Sequence, residues 1–128
     1  MSTRPVYTMV RATVPVVPAH ANVHNHHITI HFRPDADAHA ATPYGATSTF
    51  TVTGRVVTDT VDAVVVTFTD GPITDADIVS GVPHITISTA DGVSPVAAID
   101  AIRTAVANGT VIPVTGPAHT GTVAAFPS

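Results

Sequence analysis

Short runs of alternating apolar and polar residues recur along this chain, and proline or glycine interrupts almost every one of them. The 128 residues include 11 prolines and 8 glycines. Val, Thr and Ile dominate between these breaks, and β-branched residues favour strands over helices. Alternation with a period of two is typical of a strand with one buried face. The strand-like runs cover residues 6–14, 28–32, 50–57, 61–68, 84–88 and 120–126.

One segment has the pattern of a helix instead. Ser94 followed by Pro95 is a favourable helix start, because serine caps the first turn and proline suits the first helical position. Asn108-Gly109 is a typical stop. The apolar residues at helical spacing between these signals are Val96, Ile99, Ile102 and Val106. The sequence therefore predicts a single α+β domain over residues 1–128, with six or seven strands and one or two helices.

Composition narrows the classes of function. Cysteine is absent, which excludes disulfides, thiolate nucleophiles and cysteine-based zinc sites. No apolar run approaches the roughly 20 residues that span a bilayer, and the first residues lack the layout of a signal peptide, so a cytoplasmic protein without membrane contact is expected. All five basic residues are arginines, and the formal net charge is −4. A long nucleic acid requires a basic stripe, so any nucleotide partner is expected to be small.

A repeated tetrapeptide is the strongest functional signal. His27-Ile28-Thr29-Ile30 recurs as His84-Ile85-Thr86-Ile87, and both copies lie in strand-like runs. Because side chains alternate between the faces of a strand, His and Thr share one face and the two isoleucines share the other. The isoleucines are natural core residues. If the two strands are neighbours, two imidazoles and two hydroxyls meet in one cleft.

Such a set of groups suits cleavage of a phosphodiester without a metal or other cofactor. One neutral histidine, His27 or His84, takes a proton from water or from a ribose 2′-hydroxyl. The other, protonated, donates to the leaving oxygen, and the ordinary pKa of histidine makes both forms accessible near neutral pH. The hydroxyls of Thr29 and Thr86 can donate to the non-bridging oxygens, where charge builds in the transition state. The sequence leaves open which histidine is the acid.

Five further residues are candidates for substrate binding. Tyr7 in the first strand and Tyr44 in a glycine-containing loop could each stack on a nucleobase, although simple packing explains them equally well. Arg11 is a candidate phosphate ligand, because guanidinium binds phosphate in a forked geometry. His31 and Ser88 could line the cleft beyond Thr29 and Thr86, since each lies two residues further along its strand.

Histidines crowd the segment before the first motif, at His20, His24 and His26. Neutral imidazole is a common metal ligand, so a metal site is one interpretation. No carboxylate motif accompanies these residues, and a solvated loop that leads into the strand is the favoured interpretation. No metal is therefore assigned.

The two tetrapeptides resemble the paired H-x-T/S motifs of the 2H phosphoesterase superfamily. The stretch Pro83 to Ser88, followed by Asp91 to Val96, is similar to the cyclic phosphodiesterase domain of fungal tRNA ligases and of related small phage proteins. The resemblance implies a bilobal fold with antiparallel sheets around a central cleft. It also has departures: the motifs are closer together than in many such enzymes, and Ala97-Ala98 stand where a Ser-Asn pair is frequent.

The resemblance implies hydrolysis or transesterification of a phosphodiester. The superfamily acts on 2′,3′-cyclic phosphates of RNA ends, on ADP-ribose cyclic phosphates, on oligoadenylates and on cyclic oligonucleotide signals, and some phage members destroy such signals to defeat bacterial immunity. The low positive charge favours a small cyclic nucleotide or cyclic oligonucleotide as the partner. The alternatives are repair of RNA ends that carry a 2′,3′-cyclic phosphate and a non-catalytic nucleotide-binding sponge.

Overall fold

The computed structural model describes residues 4–127. It contains eight strands, two α-helices and one 3-10 turn (Asp75–Asp77). The helices are α1 (Ala36–Ala41) and α2 (Ala97–Asn108). The strands are β1 (Tyr7–Arg11), β2 (Asn22–Val23), β3 (His27–Phe32), β4 (Thr47–Val57), β5 (Val61–Asp70), β6 (His84–Thr89), β7 (Ile112–Pro113) and β8 (Ala118–Phe126). The α+β class predicted from the sequence is confirmed.

Six strands form a closed barrel. Their order is β6-β3-β1-β8-β4-β5, and a pairing between β5 and β6 closes the ring. All of these pairings are antiparallel. Closure leaves none of the six with a free edge, which removes the tendency of unpaired strands to associate. The two short strands lie outside the ring, where β2 pairs with β6 and β7 pairs with β4.

The main core fills the barrel with side chains from one face of each strand. Val10, Ile28, Phe50, Ile85 and Val123 are all at most 1% exposed and belong to one cluster. Both isoleucine pairs of the repeated tetrapeptide are buried here, as the alternation predicts. The His and Thr side chains of the same strands therefore face outward.

Helix α2 packs on the outer face of the barrel through two alanines and one isoleucine. Ala98, Ile102 and Ala105 are buried against a second cluster formed by β4 and β5. The predicted apolar stripe differs from this face, because Val96 is 70% exposed and Val106 is 64% exposed. Alanine allows the helix to approach the sheet closely, so the buried face is rotated from the stripe of larger residues. As predicted, the helix stops at Gly109, which adopts the left-handed conformation at φ 68°.

A buried carboxylate ties the proline-rich connection before β2 to the barrel. Asp62 is fully buried and accepts hydrogen bonds from Arg55, from the Ala19 N–H at 2.9 Å and from the Ser88 hydroxyl at 3.1 Å. Arg55 also donates to the carbonyl of Val17 at 2.7 Å. Burial opposes ionisation of Asp62, but the hydrogen bonds and the charge of Arg55 outweigh it and lower the pKa. This network holds the connection against β5 and β6.

Neither α-helix within residues 4–127 combines the length and the apolar character needed to cross a bilayer.

Candidate active site

The two copies of the tetrapeptide lie on adjacent antiparallel strands. Ile28 of β3 is the register partner of Ile85 of β6. Because side chains alternate along each strand, the His and Thr residues on either side of this pair project to the face opposite the two isoleucines. All four side chains are half-buried and line one cavity on the outer side of the barrel. The structure thus brings together the four residues that the repeat predicts.

The cavity is mainly apolar and includes the polar side chains of both motifs. Its volume is about 500 Å³, within the range of small-molecule sites. Apart from the two motifs, its polar lining comes from Tyr7, His24, His26 and Ser80. No arginine or carboxylate of residues 4–127 lines it. The apolar walls are formed by Ile30, Phe32, Val79, Pro95, Val96 and Ile99. Among these lining residues, only a histidine can supply positive charge.

His84 is held in one tautomer by the backbone. Its Nδ1 lies 2.6 Å from the carbonyl oxygen of Val82, and because a carbonyl can only accept, Nδ1 carries the proton. The other ring nitrogen, Nε2, remains free for a ligand in the cavity. Burial lowers the pKa of His84, and the hydrogen bond to Val82 partly opposes this effect.

His27 lies between aromatic and histidine rings. Its Nε2 is 3.1 Å from the Thr29 hydroxyl, its ring centroid is 5.0 Å from that of Tyr7, and its Nδ1 is hydrogen-bonded to Nδ1 of His26. Burial is the largest cause that lowers its pKa to about 4, followed by the charges that His26, His84 and His24 would carry. His27 is therefore neutral near neutral pH, which is the state that a general base requires.

The hydroxyl of Thr86 is only weakly engaged within the protein. It donates to the carbonyl of Pro95 over 3.4 Å, which is long for such a bond. The hydroxyl can therefore turn to a ligand at little cost. The Thr29 hydroxyl bonds to Nε2 of His27 and can either donate or accept there, so its hydrogen can also turn toward a ligand.

Of the further candidates, Tyr7 lines the cavity and Arg11 lies beside it. The Tyr7 ring is near-parallel to that of His27 and to that of Phe126, whose centroid is 5.1 Å away. Burial raises the pKa of Tyr7, and the charge of Arg11 partly opposes the shift. Arg11 is the register partner of His27 on β1, but its exposed side chain does not line the cavity.

The structure does not bring His31, Ser88 or Tyr44 into this cavity. A β-bulge between the Thr8 and Met9 positions of the β1–β3 pair interrupts the alternation, so His31 lines a separate cavity and Phe32 reaches the predicted one. Ser88 is fully buried and is used by Asp62. The Tyr44 hydroxyl is 2.6 Å from Nδ1 of His39, away from the motifs.

Two lining residues were expected to belong to a solvated loop. His24 and His26 reach the cavity because the segment before β3 runs beside β6, with the N–H groups of His24 and Asn25 bonded to Ile87 and Thr86. Asn25 adopts φ 52°, a left-handed conformation that asparagine tolerates. His20 instead bonds to the Thr58 carbonyl at 2.8 Å.

The histidine-rich segment does not form an evident metal centre. Within residues 4–127, no three His, Asp or Glu side chains are arranged so that they could hold a metal ion. The adjacency of His26 to the motif was the one sequence signal for its place in the site. Comparison with protein-family models, with curated proteins and with solved structures finds no match to this chain.

Proposed function

We propose that this protein is a metal-independent phosphodiesterase that acts on a small cyclic nucleotide or cyclic oligonucleotide, with His27 and His84 as its acid–base pair. The observation that carries the proposal is the convergence of both His-x-Thr copies on one cavity across the Ile28–Ile85 pair. Two partly buried imidazoles and two adaptable hydroxyls around one space match the needs of phosphoryl transfer.

The environments of the two histidines support different roles in this proposal. His27, with a pKa of about 4, is the base that takes the proton of the nucleophile. His84 is the acid, because the Val82 carbonyl that binds its Nδ1–H also stabilises the imidazolium. A phosphodiester anion between the rings favours their charged forms and so raises the pKa of His84 when substrate is bound. Thr29 and Thr86 donate to the non-bridging oxygens.

The lining of the cavity favours a small substrate of low charge. Among the residues of 4–127 that line the cavity, the only groups that can become cationic are four histidines, and burial lowers the pKa of at least His26, His27 and His84. A single phosphodiester can be neutralised by one imidazolium, whereas a long nucleic acid needs many fixed cations. The apolar wall and Tyr7 offer surfaces on which a base can pack.

The bilobal architecture of the 2H superfamily is part of this proposal. Its support is that the two motif strands pair at equivalent residues, Ile28 of the first tetrapeptide and Ile85 of the second. A local two-fold relation of this kind is expected when two similar halves meet at their motif strands. In the closed barrel, β3 and β6 are the strands at which the halves would join.

The test is a substrate panel in the presence of EDTA. The panel contains 2′,3′-cyclic mononucleotides, cyclic di- and trinucleotides, and an RNA oligomer that ends in a 2′,3′-cyclic phosphate. We expect turnover of at least one small member, and a fall in kcat/KM of at least about 10²-fold in His27→Ala and in His84→Ala. His119→Ala is the matched control, because His119 packs against Phe50 outside the cavity. Turnover of the RNA oligomer alone would favour end repair, and no turnover of any member would refute the proposal.

A non-catalytic nucleotide sponge is the second candidate. The observation in its favour is that the pKa values of both motif histidines are lowered, because a neutral imidazole can hydrogen-bond a ligand through its N–H but is a poor general acid. A sponge would return the cyclic nucleotide unchanged and in stoichiometric amount after denaturation. Product formation in the same incubation excludes it.

A further inference from the structure

His26 lies outside both His-x-Thr motifs, but its ring contacts that of His27 directly. The two Nδ1 atoms are hydrogen-bonded to each other. The ring centroids are 4.5 Å apart and the ring planes are inclined by 27°, which is compatible with a hydrogen bond near the plane of both rings. His26 thus contacts His27 through a ring nitrogen and not through ring carbons.

A hydrogen bond between two imidazole nitrogens uses a single proton, so one ring donates and the other accepts. If His26 donates, neutral His27 carries its proton on Nε2 and has no lone pair there for a nucleophile's proton. If His27 donates, its Nε2 keeps a free lone pair. The direction of this one hydrogen bond therefore decides whether neutral His27 can act as a base from Nε2.

Donation by His27 is the direction that the proposed role as base requires, and the surroundings can accommodate it. The His26 side chain is exposed, so its Nε2 can keep a proton that is bonded to water, and its Nδ1 is then the acceptor. The Thr29 hydroxyl, 3.1 Å from Nε2 of His27, can donate to that nitrogen as easily as it can accept. In this arrangement the ring nitrogens of His26 and His27 and the Thr29 hydroxyl all have hydrogen-bond partners.

We infer that His26 is a positioning residue that holds the proton of neutral His27 on Nδ1 and so keeps Nε2 free to act as the base. The catalytic meaning of this inference rests on the proposed function. The tautomer itself is a property of the free protein, and it can be measured without any substrate.

Other titratable or charged groups also face His27, and they bear on any pH measurement. Tyr7 packs on its ring, Arg11 is its register partner on β1, and His24 and His84 contribute to its lowered pKa. Among residues 4–127, none of these four is hydrogen-bonded to Nδ1 of His27, which is paired with His26. His26 is bonded to Nδ1 of His27 and can select the tautomer, whereas the Thr29 hydroxyl at Nε2 can either donate or accept and imposes neither form.

The test compares three variants with the unmodified protein. His26→Phe keeps a flat ring but removes the acceptor, whereas the side-chain oxygen of His26→Asn can replace Nδ1 as an acceptor. His119→Phe is the control for loss of a histidine outside the cavity. Long-range ¹H–¹⁵N spectra of the substrate-free proteins, at a pH above the pKa of His27, identify which nitrogen of His27 carries the proton.

We expect Nδ1–H at His27 in the unmodified protein, in His26→Asn and in His119→Phe, and loss of this preference in His26→Phe. We also expect kcat/KM to fall about 10²-fold in His26→Phe and to recover substantially in His26→Asn. An Nε2–H tautomer in the unmodified protein, or an unchanged tautomer in His26→Phe, would overturn the inference. Failure of the proposed function appears differently, as absence of turnover with the tautomer pattern intact.

Discussion

Acid should destabilise the fold through His27 in a defined pH window. Its folded pKa of about 4 lies below the value of 6.5 for an unperturbed histidine. Between these values the unfolded chain binds a proton that the folded protein does not, so the free energy of unfolding is highest above pH 6.5 and falls as the pH drops to 4. At 1.36 kcal/mol per pH unit the interval corresponds to about 3 kcal/mol. Because the ring is partly exposed, solvent screening reduces this to about 2 kcal/mol.

The assay is urea unfolding at a series of pH values between 7 and 4. His27→Phe is the informative variant, because phenylalanine keeps a ring against Tyr7 but cannot titrate. We expect the unmodified protein to lose about 2 kcal/mol more than this variant over the window. His119→Phe, which has no partner in the cavity, should retain the dependence of the unmodified protein. Equal pH dependence in the unmodified protein and in His27→Phe would refute the reasoning.

Three further predictions concern the buried carboxylate, a close approach of strands and the pH profile. Asp62→Asn should lower the free energy of unfolding by about 3 kcal/mol, since it leaves Arg55 without its partner, whereas the exposed turn variant Asp59→Asn should change it little. Gly121→Ala should cost about 1–3 kcal/mol, because its Cβ would lie 2.5 Å from Cγ1 of Val10; Gly116→Ala meets no atom within 4 Å and is the control. Both pairs are measured by urea unfolding, and equal stability within either pair would contradict the argument. For the proposed activity, kcat/KM should peak below pH 6.5, where His84 can be protonated and His27 is neutral; a steady rise through pH 8 would contradict this.

Much of the secondary structure follows from local pattern. Strict alternation in residues 28–32 and 84–88 predicts two half-buried strands, and β3 and β6 occupy nearly these ranges. The end of α2 at Gly109 follows from the freedom of glycine at positive φ. The buried face of α2 followed only in part, because Ile102 of the predicted stripe meets the sheet together with Ala98 and Ala105, while Val96 and Val106 remain exposed.

The sequence predicted the part of the candidate site that depends on the alternation of side chains along a strand. His27, Thr29, His84 and Thr86 share one cavity, because a strand places alternate residues on one face. His31 does not share that face, because a single bulged residue reverses the alternation. The local sequence pattern of β3 does not predict the bulge. The role of Phe32 in the wall has the same origin.

Local sequence can say which residues of one strand face the same way, because backbone geometry alone sets that relation. It cannot say which strands become neighbours, since this depends on how the whole chain closes. The pairing of Ile28 with Ile85, the closure of the barrel by β5 and β6, and the approach of His26 to His27 join distant or irregular segments. The two motifs come from the sequence, and the shared cavity exists because the barrel core buries their isoleucines side by side.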